Sequence, residues 1–199
     1  INTITYIFGF YNLFIIINLS KELYMGINIL GLGSYVPEQK LTNDDFTRFV
    51  ETNDEWIRTR TGIRERRMAG WEPTWYMGLQ AAKQAVEKSG INPEDIGLVI
   101  DCSVTPDFLT PSMSSVIQGR IGAVNAAAFD LNAACSGFVY ALDTAERFLR
   151  TDDNLKYVLV VANEALSRFV DFNDRTTCIL FGDGAAAAVR QDYIFRPRV

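Results

Sequence analysis

No histidine occurs anywhere in this 199-residue chain. An imidazole base is therefore excluded as a contribution of the chain itself, and with it the Ser-His-Asp and Cys-His forms of nucleophilic catalysis. Cysteine is scarce. Cys102, Cys135 and Cys178 are the full set and none stands in a CxxC spacing, which gives neither a disulfide framework nor a zinc site and points to a reducing compartment. Positive charge is short as well: 19 Lys and Arg face 24 Asp and Glu, for a net charge of −5. That balance argues against a nucleic acid partner, because phosphate backbones require a basic face. Nor is there a clean apolar run of membrane-spanning length. The best candidate, Ile4–Leu19, is interrupted by Thr5, Gly9, Asn12 and Asn18 and falls short of the roughly 20 apolar residues of a span.

What is present has globular proportions, with 48% hydrophobic, 22% charged and 12% aromatic residues. Residues 1–24 stand apart in composition, with no charge before Lys21 and a dominance of Ile, Asn, Tyr, Phe, Leu and Lys. They lack the basic start and the small-residue cleavage site of a signal peptide. The expectation is that translation starts at Met25 and that 1–24 is upstream read-through, with a weak apolar anchor as the alternative. From Met25 to Val189 no low-complexity linker divides the chain, so 25–189 reads as one unit and 190–199 as a divergent tail.

Within that unit strand and helix signals alternate. Gly26–Gly33 reads as a buried strand and Asn43–Glu51 as a short helix capped by Thr42 or Asn43. Pro73–Ser89 is helical, with Met77, Ala81 and Ala85 on one side and a stop at Gly90. A turn at Ile91–Asp95 precedes a strand over Gly97–Val104. Thr110-Pro-Ser opens a helix to about Ile121, with Pro111 in its first turn. A brief strand at Phe129–Leu131 leads to a helix over Ser136–Arg150. Tyr157–Ala162 and Thr177–Phe181 read as strands, the second passing through Gly182-Asp-Gly184 into Ala185–Val189. Such alternation predicts an α/β layered sheet.

Cys135 lies where a strand gives way to a helix, among the small residues Ala133, Ala134, Ser136 and Gly137. A thiol at a helix N-terminus sits beside unpaired N–H groups, which favours the thiolate. Small neighbours let a carbonyl approach, and the Cys135 N–H is suited to an oxyanion hole. The competing reading is a small hydrophobe filling a helix–sheet contact; spacing alone leaves both open. Cys102 and Cys178 sit in strand-like runs and read as packing residues.

Thr52–Arg67 sets Trp56 among five arginines in sixteen residues. Trp and Arg planes can sandwich a nucleotide base while arginines pair with phosphate. A solvated, ion-paired surface segment is the alternative. Gly182-Asp-Gly184 reads equally as a tight turn, and Gly31-Leu-Gly33 fails the GxGxxG pattern of a dinucleotide site.

Four stretches in order, GINILGLGSYVPEQKLTN, NDEWIRTRTGIRERR, DLNAACSGFVYAL and NDRTTCILFGDGAAAAV, resemble β-ketoacyl-acyl-carrier-protein synthase III of the thiolase-like superfamily. This is the initiating condensing enzyme of bacterial type II fatty-acid synthesis. The cysteine segment alone leaves thiolases, chalcone-synthase-like enzymes and hydroxymethylglutaryl-CoA synthase open; the Trp-Arg segment favours synthase III. The resemblance implies a layered α-β-α-β-α fold of which the N-terminal half is present. It implies that Cys135 takes an acyl group from acyl-CoA and condenses it with malonyl-acyl-carrier protein, both as substrates, with no cofactor and no metal. It implies that Trp56 and Arg175 flank the CoA adenine, that Thr52 and Arg60 contact the nucleotide, and that Thr110 lines an acyl pocket open to branched or longer primers. A cytoplasmic homodimer without membrane association is the expected setting of the complete protein.

In that family the second half supplies a catalytic His and Asn, basic residues for the carrier protein and an oxyanion-hole glycine. None is assignable here, so the chain reads as truncated and unable to condense alone. The alternative reading is a non-catalytic acyl-CoA-binding fragment that pairs with a separate second half. Ala69–Tyr76, with Trp71, Trp75 and Tyr76, departs from the polar loop usual at this place.

Overall fold

The computed structural model describes residues 27–192; residues 1–24 and the end of the tail fall outside them. In chain order the elements are β1 (Ile27–Tyr35), β2 (Lys40–Thr42), α1 (Asp54–Thr61), β3 (Glu65–Arg67), α2 (Thr74–Ser89), β4 (Ile96–Asp101), α3 (Met113–Ile121), β5 (Ala127–Asp130), α4 (Gly137–Thr151), β6 (Tyr157–Ala165) and β7 (Asp183–Asp192). One mixed sheet runs β1-β7-β6-β4-β5, and β2 and β3 form a separate hairpin. The β4–β5 and β4–β6 pairs are parallel, whereas β7 lies antiparallel to both β6 and β1.

Alternating strand residues divide between two apolar layers, as a pleated sheet requires. Val99, Leu159, Val161, Ala187 and Val189 join Ala81, Ala82 and Ala85 of α2 and Ile117 of α3. Leu98, Ile100, Val158 and Val160 face Ala141, Ala145 and Leu149 of α4. The sheet is thus covered by α2 and α3 on one side and by α4 on the other. Both long helices bury the residues that their 3.6-residue spacing selects.

Two glycines set the distance between β1 and α2. A Cβ on Gly33 would stand 1.9 Å from the Ala81 carbonyl oxygen, and one on Gly31 would stand 2.1 Å from that of Ala85. Gly90 and Gly122 end α2 and α3 in the left-handed region, with φ of 70° and 86°, a conformation that glycine adopts without a Cβ clash.

Several elements differ from the sequence expectation. β1 is an edge strand whose outer face leaves Ile29 and Leu32 exposed, so its apolar run is buried on one side only. Asn43–Glu51 contains a 3-10 turn, Asp44–Arg48, in place of a longer helix; of the two expected caps Asn43 makes no cap bond, whereas the Thr42 hydroxyl accepts the Asp45 N–H at 3.3 Å and the Asp45 carboxylate accepts the Thr42 N–H in return. Pro111 precedes α3, whose cap is Ser112. Thr177–Phe181 is no strand. Asp174 gathers the Thr176 N–H and the Thr176 and Thr177 hydroxyls, and the Thr177 and Cys178 amides donate to its carbonyl. Local side-chain bonding thereby outcompetes the strand preference of a β-branched run. β7 continues through Arg190, which is buried, pairs with Glu146 at 2.8 Å and donates to the Leu142 carbonyl of α4.

Candidate active site

Cys135 sits in a 3-10 turn, Ala134–Ser136, that feeds directly into α4. The residue before it, Ala134, has φ of +48°, the one non-glycine positive φ among the described residues. That conformation costs an alanine about 1–2 kcal/mol, and it turns the chain sharply from β5 into the helix. The Ser136 N–H donates to the Ala133 carbonyl and the Gly137 N–H to that of Ala134. Cys135 therefore lies at the first turn, where the positive end of the α4 dipole is felt. Its side chain is exposed. The packing role weighed for this cysteine belongs to a different residue: Cys102 meets the start of α4, its Cβ 3.1 Å from where a Gly137 Cβ would be.

The other two thiols are buried. Cys102 donates to the Val161 carbonyl at 3.0 Å, and burial, with Asp101 and Glu164 beside it, pushes its pKa up to about 12. Burial, followed by the charge of Asp174, raises the Cys178 thiol too. Both sit in settings that disfavour the nucleophilic thiolate.

A second group of residues surrounds Trp56. It lies in α1, which Asn53 caps by accepting the Trp56 N–H at 2.8 Å and which Gly62 ends at φ 74°. The guanidinium carbons of Arg60 and Arg175 stand 4.5 Å and 4.1 Å from the Trp56 ring centre. Arg60 is one turn along α1, whereas Arg175 arrives from the loop between β6 and β7. Thr52, just before the helix, has a buried hydroxyl with no hydrogen-bond partner among the described residues. Thr110 is exposed and joined to Pro111 by a cis peptide, beside Leu109, which is 90% exposed.

Two further residues that the sequence did not predict as site residues serve this region. Arg66 is buried and bridges Asn43 to the Ile179 carbonyl. Asp183 of the Gly-Asp-Gly run accepts from the Ala69 N–H and from the Ser167 N–H and hydroxyl; the run is not the expected tight turn, because Asp183 and Gly184 open strand β7, and Asp183 latches that strand end to the loops of Ala69 and Ser167. The signal for Arg66 was its place opposite Leu41 in the β2–β3 hairpin, the side on which a strand turns inward. Among the described residues no group of three His, Cys, Asp or Glu is placed to hold a metal ion. No helix among them is long and apolar enough to cross a membrane.

A mixed sheet between two helical layers, with an exposed cysteine where α4 leaves the sheet, defines one half of a thiolase-like fold. A family model for 3-oxoacyl-[acyl-carrier-protein (ACP)] synthase III matches residues 129–192. The chain is 52% identical over 163 residues to the β-ketoacyl-[acyl-carrier-protein] synthase III of Clostridium acetobutylicum, covering 82% of this chain and 50% of that protein. It superposes on the crystal structure of 3-oxoacyl-[acyl-carrier-protein] synthase III from Aquifex aeolicus with a TM-score of 0.81 at 46% identity, covering 87% of this chain and 55% of the other. A priming β-ketosynthase from the R1128 polyketide pathway gives the same TM-score at 40% identity, with 84% and 50% covered. Over these residues the chain has the sequence and fold of the β-ketoacyl-[acyl-carrier-protein] synthase III family. It spans about half the length of the curated relatives it matches.

Proposed function

We propose that this chain is the acyl-accepting, N-terminal part of a synthase III-type acyltransferase, carried by residues 25–189, with Cys135 as its nucleophile. The exposure of Cys135 at the entry to α4, behind a strained Ala134, is the observation that carries this reading. In the first step the Cys135 thiolate attacks the carbonyl carbon of an acyl-CoA. The new carbon–sulfur bond forms as the bond to CoA breaks, CoA leaves as its thiolate, and the acyl group stays on Cys135. The Cys135 N–H lies in the first turn of the helix, suited to the oxyanion that develops.

Trp56, Arg60, Arg175 and Thr52 hold the CoA nucleotide in this reading, and Thr110 borders the acyl chain. A base stacked between Trp56 and Arg175 needs about 7 Å between the outer planes, so Arg175 swings away from the ring on binding. The partner in the second step is malonyl-acyl-carrier protein; the setting is a cytoplasmic homodimer. Decarboxylative condensation needs the imidazole and amide that the family places in its other half. The chain has no histidine, so acylation alone is assigned to these residues. That same lack favours the second reading, an acyl-CoA-binding unit that pairs with a separate half.

Intact-mass spectrometry after incubation with acetyl-CoA tests the assignment. One acetyl group is expected on the chain and none on the Cys135→Ser variant. Absence of the adduct both on the chain and on its assembly with a family second half refutes the nucleophile and leaves the binding-unit reading.

A further inference from the structure

The Trp56 helix and the Arg175 loop are distant in sequence, and one buried guanidinium joins them. Arg66 is 4% exposed and forms no ion pair among the described residues. Its Nε, 2.8 Å away, and its Nη2 both donate to the Ile179 carbonyl. Its Nη1 donates to Asn43 Oδ1 at 2.6 Å. The Asn43 amide in turn donates to Asp54 Oδ1 at 2.8 Å and to the Ile63 carbonyl at 2.7 Å. Asp54 opens α1 and Ile63 follows its closing glycine, so Asn43 grips both ends of the helix that carries Trp56. Ile179 lies four residues beyond Arg175, in the same run of turns.

A third contact reinforces the other two. The Arg66 guanidinium stacks 4.5 Å from the Phe46 ring centre, and Phe46 stacks on Phe172 of the Arg175 loop at 6.3 Å and 21°. Behind the guanidinium, Gly182 closes on the β3 backbone: a Cβ there would stand 3.0 Å from the Arg67 carbonyl. Burying a guanidinium without a carboxylate is costly. Its hydrogen bonds among the described residues all go to the two walls that flank Trp56 and Arg175. A lysine keeps the charge but lacks the planar fork that reaches both sides at once.

We propose that Arg66 is a positioning residue for nucleotide recognition, setting the spacing of Trp56 and Arg175 through Asn43 on one side and Ile179 on the other. The inference rests on the reading that Trp56 and Arg175 hold the nucleotide of acyl-CoA. It assigns Arg66 to binding of the nucleotide and not to the chemistry at Cys135.

The test separates those two readouts on the full chain. Calorimetric titration with adenosine 3′,5′-bisphosphate measures nucleotide binding. Acetylation of Cys135 by the N-acetylcysteamine thioester, which has no nucleotide, measures the chemistry. Arg66→Lys and Arg66→Gln are expected to weaken nucleotide binding about tenfold or more, on the scale of one lost stacking contact, with thioester acetylation within about twofold of the parent. Asn43→Ala cuts one arm while Ile179 stays held, so it should show part of the loss even where the Arg66 variants fail to fold. Trp56→Ala is the control. Unchanged binding in Trp56→Ala overturns the nucleotide-site reading. Weakened binding in Trp56→Ala with parent-like binding in the Arg66 and Asn43 variants overturns this inference alone. So does restoration of full affinity by Arg66→Lys, or an equal loss of binding and acetylation, either of which makes Arg66 a general stabilising residue.

Discussion

Arg175 and Trp56, separated by more than a hundred residues in sequence, meet with the guanidinium carbon 4.1 Å from the indole ring centre. The contact is a cation–π stack, and in the proposed site the nucleotide base enters between its two planes. Trp56→Ala and Arg175→Ala should each weaken adenosine 3′,5′-bisphosphate binding by about 1–3 kcal/mol, the worth of one stacked base. Titration calorimetry at fixed salt checks this; parent-like affinity in both variants refutes the slot.

Selective alkylation should follow the burial of the three thiols. Cys135 is exposed, whereas Cys102 and Cys178 are buried with raised pKa values. Iodoacetamide at pH 8 is expected to modify Cys135 alone in the folded chain and all three residues in denaturant. Peptide mapping reads the sites, and labelling of Cys102 in the native state contradicts the assignment.

Ala134 permits two opposite substitutions. At φ +48° a β-branched side chain is a steric outlier, so Ala134→Val should destabilise the fold by about 1–3 kcal/mol and slow acetylation of Cys135. Ala134→Gly suits the backbone and should keep both within about 1 kcal/mol. Urea titration with intact-mass kinetics distinguishes them; equal behaviour of Val and Gly removes strain from the explanation.

Asp101 gives the fold a pH dependence. Its carboxyl is fully buried, and neither oxygen has a hydrogen-bond partner among the described residues. Burial first, and then the charge of Asp130, hold its pKa well above the usual range, against a smaller opposing effect of Asn163. Above the ordinary carboxyl pKa the unfolded chain loses a proton that the folded chain keeps. The stability Asp101 confers is present below that value and is lost as pH rises toward the folded pKa, by at most about 1.4 kcal/mol per pH unit. Asp101→Asn should flatten this part of the profile between pH 5 and 7, as read from urea midpoints. A parallel slope in the variant rules out Asp101 as its source.

Gly33 is the tightest point of the β1–α2 contact, and its obstacle is backbone. Gly33→Ala should cost about 3 kcal/mol or more, since neither element can yield by a rotamer change. The thermal midpoint measures it, and a loss below about 1 kcal/mol shows that α2 is free to shift.

Much of this was legible in local pattern. The apolar faces of α2 and α4 follow from their 3.6-residue spacing, and Gly90 marks the end of α2 by its position alone. The exposed place of Cys135 at the entry to α4 follows from small residues set between a strand and an apolar-faced helix. What escaped depends on partners far along the chain or on one competing side chain. Thr177–Phe181 carries strand-forming residues, yet the Asp174 carboxylate and carbonyl organise it into turns. Asn43 has the composition of a cap, but its amide serves Asp54 and Ile63. No local rule pairs Arg66 with a carbonyl 113 residues later.

The pairing of buried Arg190 with half-buried Glu146 gives α4 a mechanical reference. Glu146 lies nine residues beyond the start of the helix, about 14 Å along its axis. A second bond from the same guanidinium to the Leu142 carbonyl fixes the helix in both translation and rotation against β7. Cys135 is carried on the end of that helix like a tip on an anchored rod. If Cys135 carries the acyl group as proposed, groups of different length are accommodated by the loops around the thiol and not by movement of the anchored helix.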